Sequence, residues 1–328
     1  MRTVFTSSLI AALFLAGAAS ARTPEAAHRV QLRQIPARVE PARLRATITR
    51  LVGFGTRHTL SDTTSPTRGI GAARRWVKGE FEALSPRCAA PLRIETPSQV
   101  VTGDRVPQPT EVMDVLAIQP GSDEPDRVVV ISAHLDSRVT DPMDFTSDAP
   151  GANDDGSGVA AVLEAARVLC GQRFRATIVY AVLSGEEQNL YGGRVLADYA
   201  TAQHWRVEAD LNNDIIGNTH GQDGVRDNTH VRVFSEGTRS RETPQEASRR
   251  RYNGGEVDSP SRNLARYMDR IAEDFLPGLD VVMVYRTDRY SRGGDQVRML
   301  EAGFPAVRVT EARENYTRQH QTLRTENG

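Results

Sequence analysis

Cysteine is almost absent. The chain has two, Cys88 and Cys170, in 328 residues, too few for a four-thiolate metal site or a disulfide-built scaffold. Neither charge sign dominates: 41 Lys and Arg against 42 Asp and Glu leave a formal charge of -1. That excludes a global basic field of the kind that gathers nucleic acid, and an acidic excess of the kind that keeps a chain unfolded. Past the first twenty or so residues no apolar run is long enough to cross a bilayer, so no stable membrane insertion is expected. What remains is an ordinary globular composition, 39% apolar, able to bury a large core as one big α/β domain or two smaller ones.

The opening segment, MRTVFTSSLIAALFLAGAASA, has a positive charge at Arg2, an apolar run from Leu9 to Leu15, and small residues at Ala19 and Ala21. This is a secretory leader pattern over residues 1–21, which predicts export to a periplasm or out of the cell. In such a compartment Cys88 and Cys170 can pair as a disulfide or remain two buried thiols, and sequence leaves that choice open. Residues 22–40, rich in Pro, Arg and Ala, read as a loosely held arm, and 41–328 as a single domain. Helical spacing begins at Pro41 with Leu44, Ile48 and Leu51, and resumes after Gly71 with Ala73, Trp76, Phe81 and Leu84. A third helix, Val159 to Leu169, has a start signal in Asp155, Gly156 and Ser157.

Strand-like runs fall at Val112 to Ile118, Val128 to Ser132, Thr177 to Leu183, Val231 to Phe234 and Val281 to Tyr285. Their alternation with helices predicts an α/β fold with a mostly parallel, mixed central sheet sandwiched by helices, and a ligand site beyond the strands' carboxyl ends. A polar stretch near 219–262, with Arg249, Arg250 and Arg251, reads as a solvated surface insertion, since nothing aromatic or Gly-cradled accompanies its basic run.

Chemistry gathers where strands end. The run Val128 to Ser132 leads into Ala133-His134-Leu135-Asp136, an imidazole with a carboxylate two residues on that can hold its ring N–H and so fix the tautomer. Asn153-Asp154-Asp155 precedes the third helix, where one aspartate suffices for a cap and a second is free to bridge cations. The strand ending at Leu183 opens into Gly185-Glu186-Glu187, an acidic pair in which one member can bind metal while the other takes a proton. Asp214 follows a short strand, and His320 stands alone near the end. Two His, two Asp and two Glu from five segments form an N/O donor set suited to zinc.

In this order the motifs resemble the zinc-dependent exopeptidases of the bacterial leucyl aminopeptidase type, peptidase clan MH, over about Gly53 to His320. The resemblance implies two Zn2+ ions bridged by Asp154, with His134 and Asp214 completing one site and Glu187 and His320 the other. It implies Glu186 as general base, Asp136 as the residue orienting His134, Asp155 as the residue after the bridge, and a peptide as substrate. The family's oxyanion-holding tyrosine corresponds to Tyr290 or Tyr316, and the choice stays open. A closing helix is expected after the last ligand, so the chain reads as cut short at Gly328. The rival readings are a one-zinc glutaminyl cyclase, a carboxypeptidase or amidohydrolase on the same frame, and a non-catalytic binding module, which should have lost ligands or base.

Overall fold

The computed structural model describes residues 24–289 and 292–325. The leader at 1–21 and Tyr290 lie outside the described residues. In chain order the elements are α1 (Pro24–Gln34), α2 (Pro41–Val52), α3 (Gly69–Leu84), β1 (Arg93–Glu95), β2 (Ser98–Gly103), β3 (Val106–Met113), β4 (Val115–Gln119), β5 (Glu124–His134) and α4 (Gly156–Leu169). There follow β6 (Ala176–Leu183), α5 (Tyr191–Ala202), β7 (Arg206–Asn213), β8 (His230–Phe234), α6 (Pro244–Asn253), α7 (Pro260–Phe275), β9 (Asp280–Val284), α8 (Gln296–Ala302) and β10 (Ala306–Glu311).

Eight strands form one sheet in the order β1-β4-β6-β5-β7-β10-β8-β9. The pairs β6-β5, β5-β7, β7-β10 and β8-β9 are parallel, while β1-β4, β4-β6 and β10-β8 are antiparallel. The expected mixed sheet is therefore present. One of its inner strands, β6, is buried at every residue, which is why ATIVYAVL is apolar without alternation. Ile178, Tyr180 and Val182 pack with Leu51, Val77, Phe81 and Val162 of α2, α3 and α4. On the other face, Val179, Ala181 and Leu183 meet Leu196 and Ala200 of α5 and Met299 and Leu300 of α8.

Three expectations need correction. The run Val112 to Ile118 is two strands, because the carboxylate of buried Asp114 accepts the Ser184 N–H (3.0 Å), and β3 leaves the main sheet to pair with β2. The described part of the arm, residues 24–40, is mostly helical rather than loose. Its Ala and Arg are good helix formers and its prolines stand at helix starts, where a missing N–H is harmless. It is tied down by Gln31 Nε2 donating to Gln172 Oε1 (2.6 Å), by Glu40 N donating to Glu164 Oε1 (2.7 Å), and by Arg167 donating to the Arg38 carbonyl. The stretch 219–262 contributes β8 to the main sheet. Its basic run lies on α6, a helix with no buried residue, closed at its start by a Thr243–Glu246 capping box. Cys88 and Cys170 are bonded, which joins the turn after α3 to the end of α4 and decides the pairing that the sequence left open.

Candidate metal centre

The strands β5, β6, β7 and β10 are parallel neighbours, so their carboxyl ends share one edge, where α/β sheets hold ligands. His134 ends β5, Glu186 and Glu187 follow β6, Asp214 follows β7, and His320 comes after β10 and a short 3-10 turn, Tyr316–Arg318. Asp154 stands on the loop before α4, next to Asp155, whose carboxylate caps that helix through Gly158 N. Gly185, at φ 79°, makes the turn that releases the glutamate pair from β6. Ile215, at φ 61°, is a costlier left-handed residue. It is held by its N–H to Asp155 Oδ1 (3.2 Å) and by its carbonyl, which accepts from Glu311 N (2.8 Å).

The five candidate ligands come together. His134 Nε2 is 3.1 Å from Asp154 Oδ1 and 3.8 Å from Asp214 Oδ1. His320 Nε2 is 2.8 Å from Asp154 Oδ2 and 3.0 Å from Glu187 Oε1. Asp154 thus turns one oxygen to each histidine, and two donor triads share it: His134, Asp154 and Asp214, and Asp154, Glu187 and His320, each with ligand atoms within 4.8 Å of one another. Glu186 lines the same cleft, of about 750 Å³.

Asp136 does more than expected, and by a different route. The ring Nδ1 of His134 lies 3.0 Å from the backbone carbonyl of Asp136 and 3.6 Å from its carboxylate. The carboxylate instead accepts from Thr59 Oγ1 (2.9 Å), Glu186 N (3.2 Å) and Glu187 N (3.1 Å), so one residue fixes both the imidazole and the glutamate turn.

Sequence reasoning missed the arginines behind the ligands. Arg308, fully buried in β10, places Nε 3.0 Å from Asp214 Oδ2 and Nη1 2.8 Å from Asp288 Oδ1. Arg138 donates from Nε to Glu187 Oε2 (2.8 Å). Each terminal carboxylate therefore has one oxygen pinned by a guanidinium and the other turned to the centre. Arg57, also fully buried, donates to the carbonyls of Leu51, Leu135, Pro150 and Gly151 and so anchors the loop that carries Asp154. A charge inside the apolar strand AVRVTE was a readable signal for Arg308. Arg57 and Arg138 stand in loops that carry none.

Burial dominates the electrostatics. It pushes the Glu186 carboxyl well above its ordinary range, with Glu187 and Asp214 adding to the rise and His134 opposing it. Burial also works against Asp214, but the Arg308 charge and His134 hold it down at about 2. For His320 the carboxylates of Glu187 and Asp154 outweigh burial and raise it to about 9. A divalent cation fits these donors. Glu187 Oε1 is buried, 3.0 Å from His320 Nε2 but without the alignment of a hydrogen bond, and carboxylates outnumber histidines in both triads. One contact must change on loading. Arg138 Nη2 sits 2.6 Å from His320 Nδ1, whereas donation from Nε2 to a metal requires the proton on Nδ1. Tyr316 is exposed beneath the Arg292 guanidinium (4.9 Å to its ring centre); Arg292 lines the cleft, and Tyr316 is not among its lining residues.

Known proteins resemble this chain. A probable zinc metalloprotease of Leptosphaeria maculans is 47% identical over 291 residues, 88% of this chain and 68% of the relative. Three further such relatives are spanned over 62%, 62% and 61% of their length. Among solved structures, the LapA aminopeptidase of Legionella pneumophila superposes with a TM-score of 0.61 at 19% identity, over 92% of this chain and 69% of that one. The glutaminyl cyclase of Porphyromonas gingivalis does so with 0.54 at 17%, over 84% and 85%; at such identities the likeness is one of fold. Residues 114–326 match the model of peptidase family M28, and the chain belongs to that family.

Proposed function

We propose that the protein is an exported two-zinc exopeptidase that removes N-terminal residues from peptides. The observation that carries this is the sharing of Asp154 between two complete donor triads. His134, Asp154 and Asp214 would hold one ion, and Asp154, Glu187 and His320 the other, an N/O set that suits zinc. Bound there, the ions supply Lewis acidity toward the scissile carbonyl and make a water nucleophilic near neutral pH.

The remaining work belongs to the chain. Glu186, half-buried beside both triads and not needed as a ligand, takes the proton of the attacking water and delivers it to the departing amine. Asp136 keeps Glu186 in place through its backbone N–H. Arg57 and Arg308 hold Asp154 and Asp214 before any substrate arrives, so that little reorganisation is left to the reaction. The leader pattern at 1–21 and the Cys88–Cys170 bond support export, since such a bond persists in oxidising compartments.

The test is zinc content per chain together with hydrolysis of aminoacyl anilides, with and without a chelator. About two zincs and chelator-sensitive release are expected. One zinc with cyclisation of N-terminal glutamine would favour the cyclase reading. Two zincs without anilide release would move the activity to a carboxypeptidase or amidohydrolase.

A further inference from the structure

The cleft above the donor triads is lined by four guanidinium groups from three loops. Arg105 comes from the turn between β2 and β3, Arg138 from the loop after β5, and Arg289 and Arg292 from the loop between β9 and α8. Two of them are paired with acids: Arg138 with Glu187 and Arg289 with Glu314. The other two have no carboxylate partner among the described residues. Arg105 donates to the backbone carbonyl of Glu187 (2.9 Å). Arg292 donates to the neutral amide of Gln319 (3.1 Å) and lies over the ring of Tyr316.

Against these charges the cleft offers little acid beyond its ligands. Its acidic lining residues are Asp104, Asp154, Glu186, Glu187 and Asp214, and Asp154, Glu187 and Asp214 are the carboxylates that two divalent cations would neutralise. Asp104 and Glu186 are left to face the two arginines without a carboxylate partner, Arg105 and Arg292, and the loaded metals. Such a cleft repels a cationic side chain and attracts an anionic one. Guanidinium is also the donor that matches a carboxylate with two parallel N–H groups.

We infer that the site selects peptides carrying a carboxylate close to the cleaved bond, with Arg105 and Arg292 as its specificity-determining residues. The inference rests on the exopeptidase reading and deepens it by naming the substrate class. The carboxylate has two sources with the same chemistry: the side chain of an acidic N-terminal residue, or the free α-carboxylate of a short peptide.

Matched substrate pairs separate them. On zinc-loaded protein, kcat/KM is compared for glutamyl, glutaminyl and lysyl anilides, which vary the side chain, and for leucylglycine and its amide, which vary the terminal carboxylate. The carboxylate member of at least one pair should be preferred about 10- to 100-fold, the worth of one hydrogen bond to a charged group. In Arg105→Ala and Arg292→Gln that ratio should fall about tenfold, chiefly through KM, and Arg292→Lys should restore part of it. Calorimetric binding of glutamate against glutamine, and of leucylglycine against its amide, to the zinc-loaded Glu186→Gln protein reads the same preference without turnover.

Hydrolysis of every member at similar rates, or a preference that survives both substitutions, overturns the inference while leaving the exopeptidase reading intact. No hydrolysis by protein with full zinc overturns that reading, and the binding comparison then decides the carboxylate preference by itself.

Discussion

Asp210 offers a quantitative test of how dry the polar layer beneath the site is. Its side chain lies fully buried in β7 and receives one hydrogen bond, from Ser132 Oγ at 2.6 Å, while its second oxygen has no partner. Burial pushes its carboxyl up to about 7 from the ordinary 3.8, with the Ser132 bond opposing. Between those values the unfolded chain has released its proton and the folded one has kept it. Stability is therefore present below about pH 4 and is lost as pH rises toward 7. At 1.36 kcal/mol per tenfold change, the loss amounts to about 4 kcal/mol by pH 8. Asp210→Asn abolishes the titration and keeps an oxygen for Ser132, while its new N–H group adds only an offset that does not change with pH. The unfolding free energy of the variant relative to the parent should thus climb by about 4 kcal/mol from pH 4 to pH 8, whatever the fixed offset. Urea titrations of both proteins in chelator, with the disulfide intact, read this difference and cancel the carboxylates they share. A flat difference would refute the reasoning, because it would mean that Asp210 ionises in the fold as easily as in the open chain.

Glu186→Gln should keep its zinc and lose about 10²- to 10⁴-fold in kcat, the usual worth of a positioned proton-transfer group; metal analysis beside steady-state rates checks it, and retained turnover in the loaded variant would remove Glu186 from its role. Arg308→Met should destabilise the metal-free protein by about 3–5 kcal/mol, since Asp214 is left buried without its guanidinium and Asp288 keeps only Arg289, at 3.6 Å. That gap should narrow when zinc is added, because a divalent ion at Asp214 restores the missing charge, and a gap of equal size in zinc and in chelator would show that Arg308 acts through packing alone. Replacing both cysteines by serine should lower stability by about 4 kcal/mol, from an 82-residue separation closed by the bond. Urea midpoints measure this, and a loss below about 1 kcal/mol would contradict the loop-closure account.

How much of the site is written in the sequence follows from where its parts sit. His134, Glu187 and Asp214 were legible because each interrupts polarity at the end of an apolar strand, and a parallel sheet brings such ends to one edge whatever the loops between them do. Asp154 was legible because a helix start needs one carboxylate and the sequence offers two, and Asp155 does take the cap. The groups that hold these ligands were less so. Arg57 lies close in sequence only to Leu51 among the residues whose carbonyls it grips, the others being Leu135, Pro150 and Gly151, and a loop arginine carries no periodicity to betray its burial. Arg105 and Arg292 belong to turns some 190 residues apart that line one cleft only once β9 and the β2-β3 hairpin are in place. Local pattern marks residues that answer to their own strand or helix. A residue whose role is to answer a charge on another segment becomes readable only with the fold. The candidate ligands and the groups that hold them are thus encoded at two levels, the first in strand ends and the second in the packing of loops.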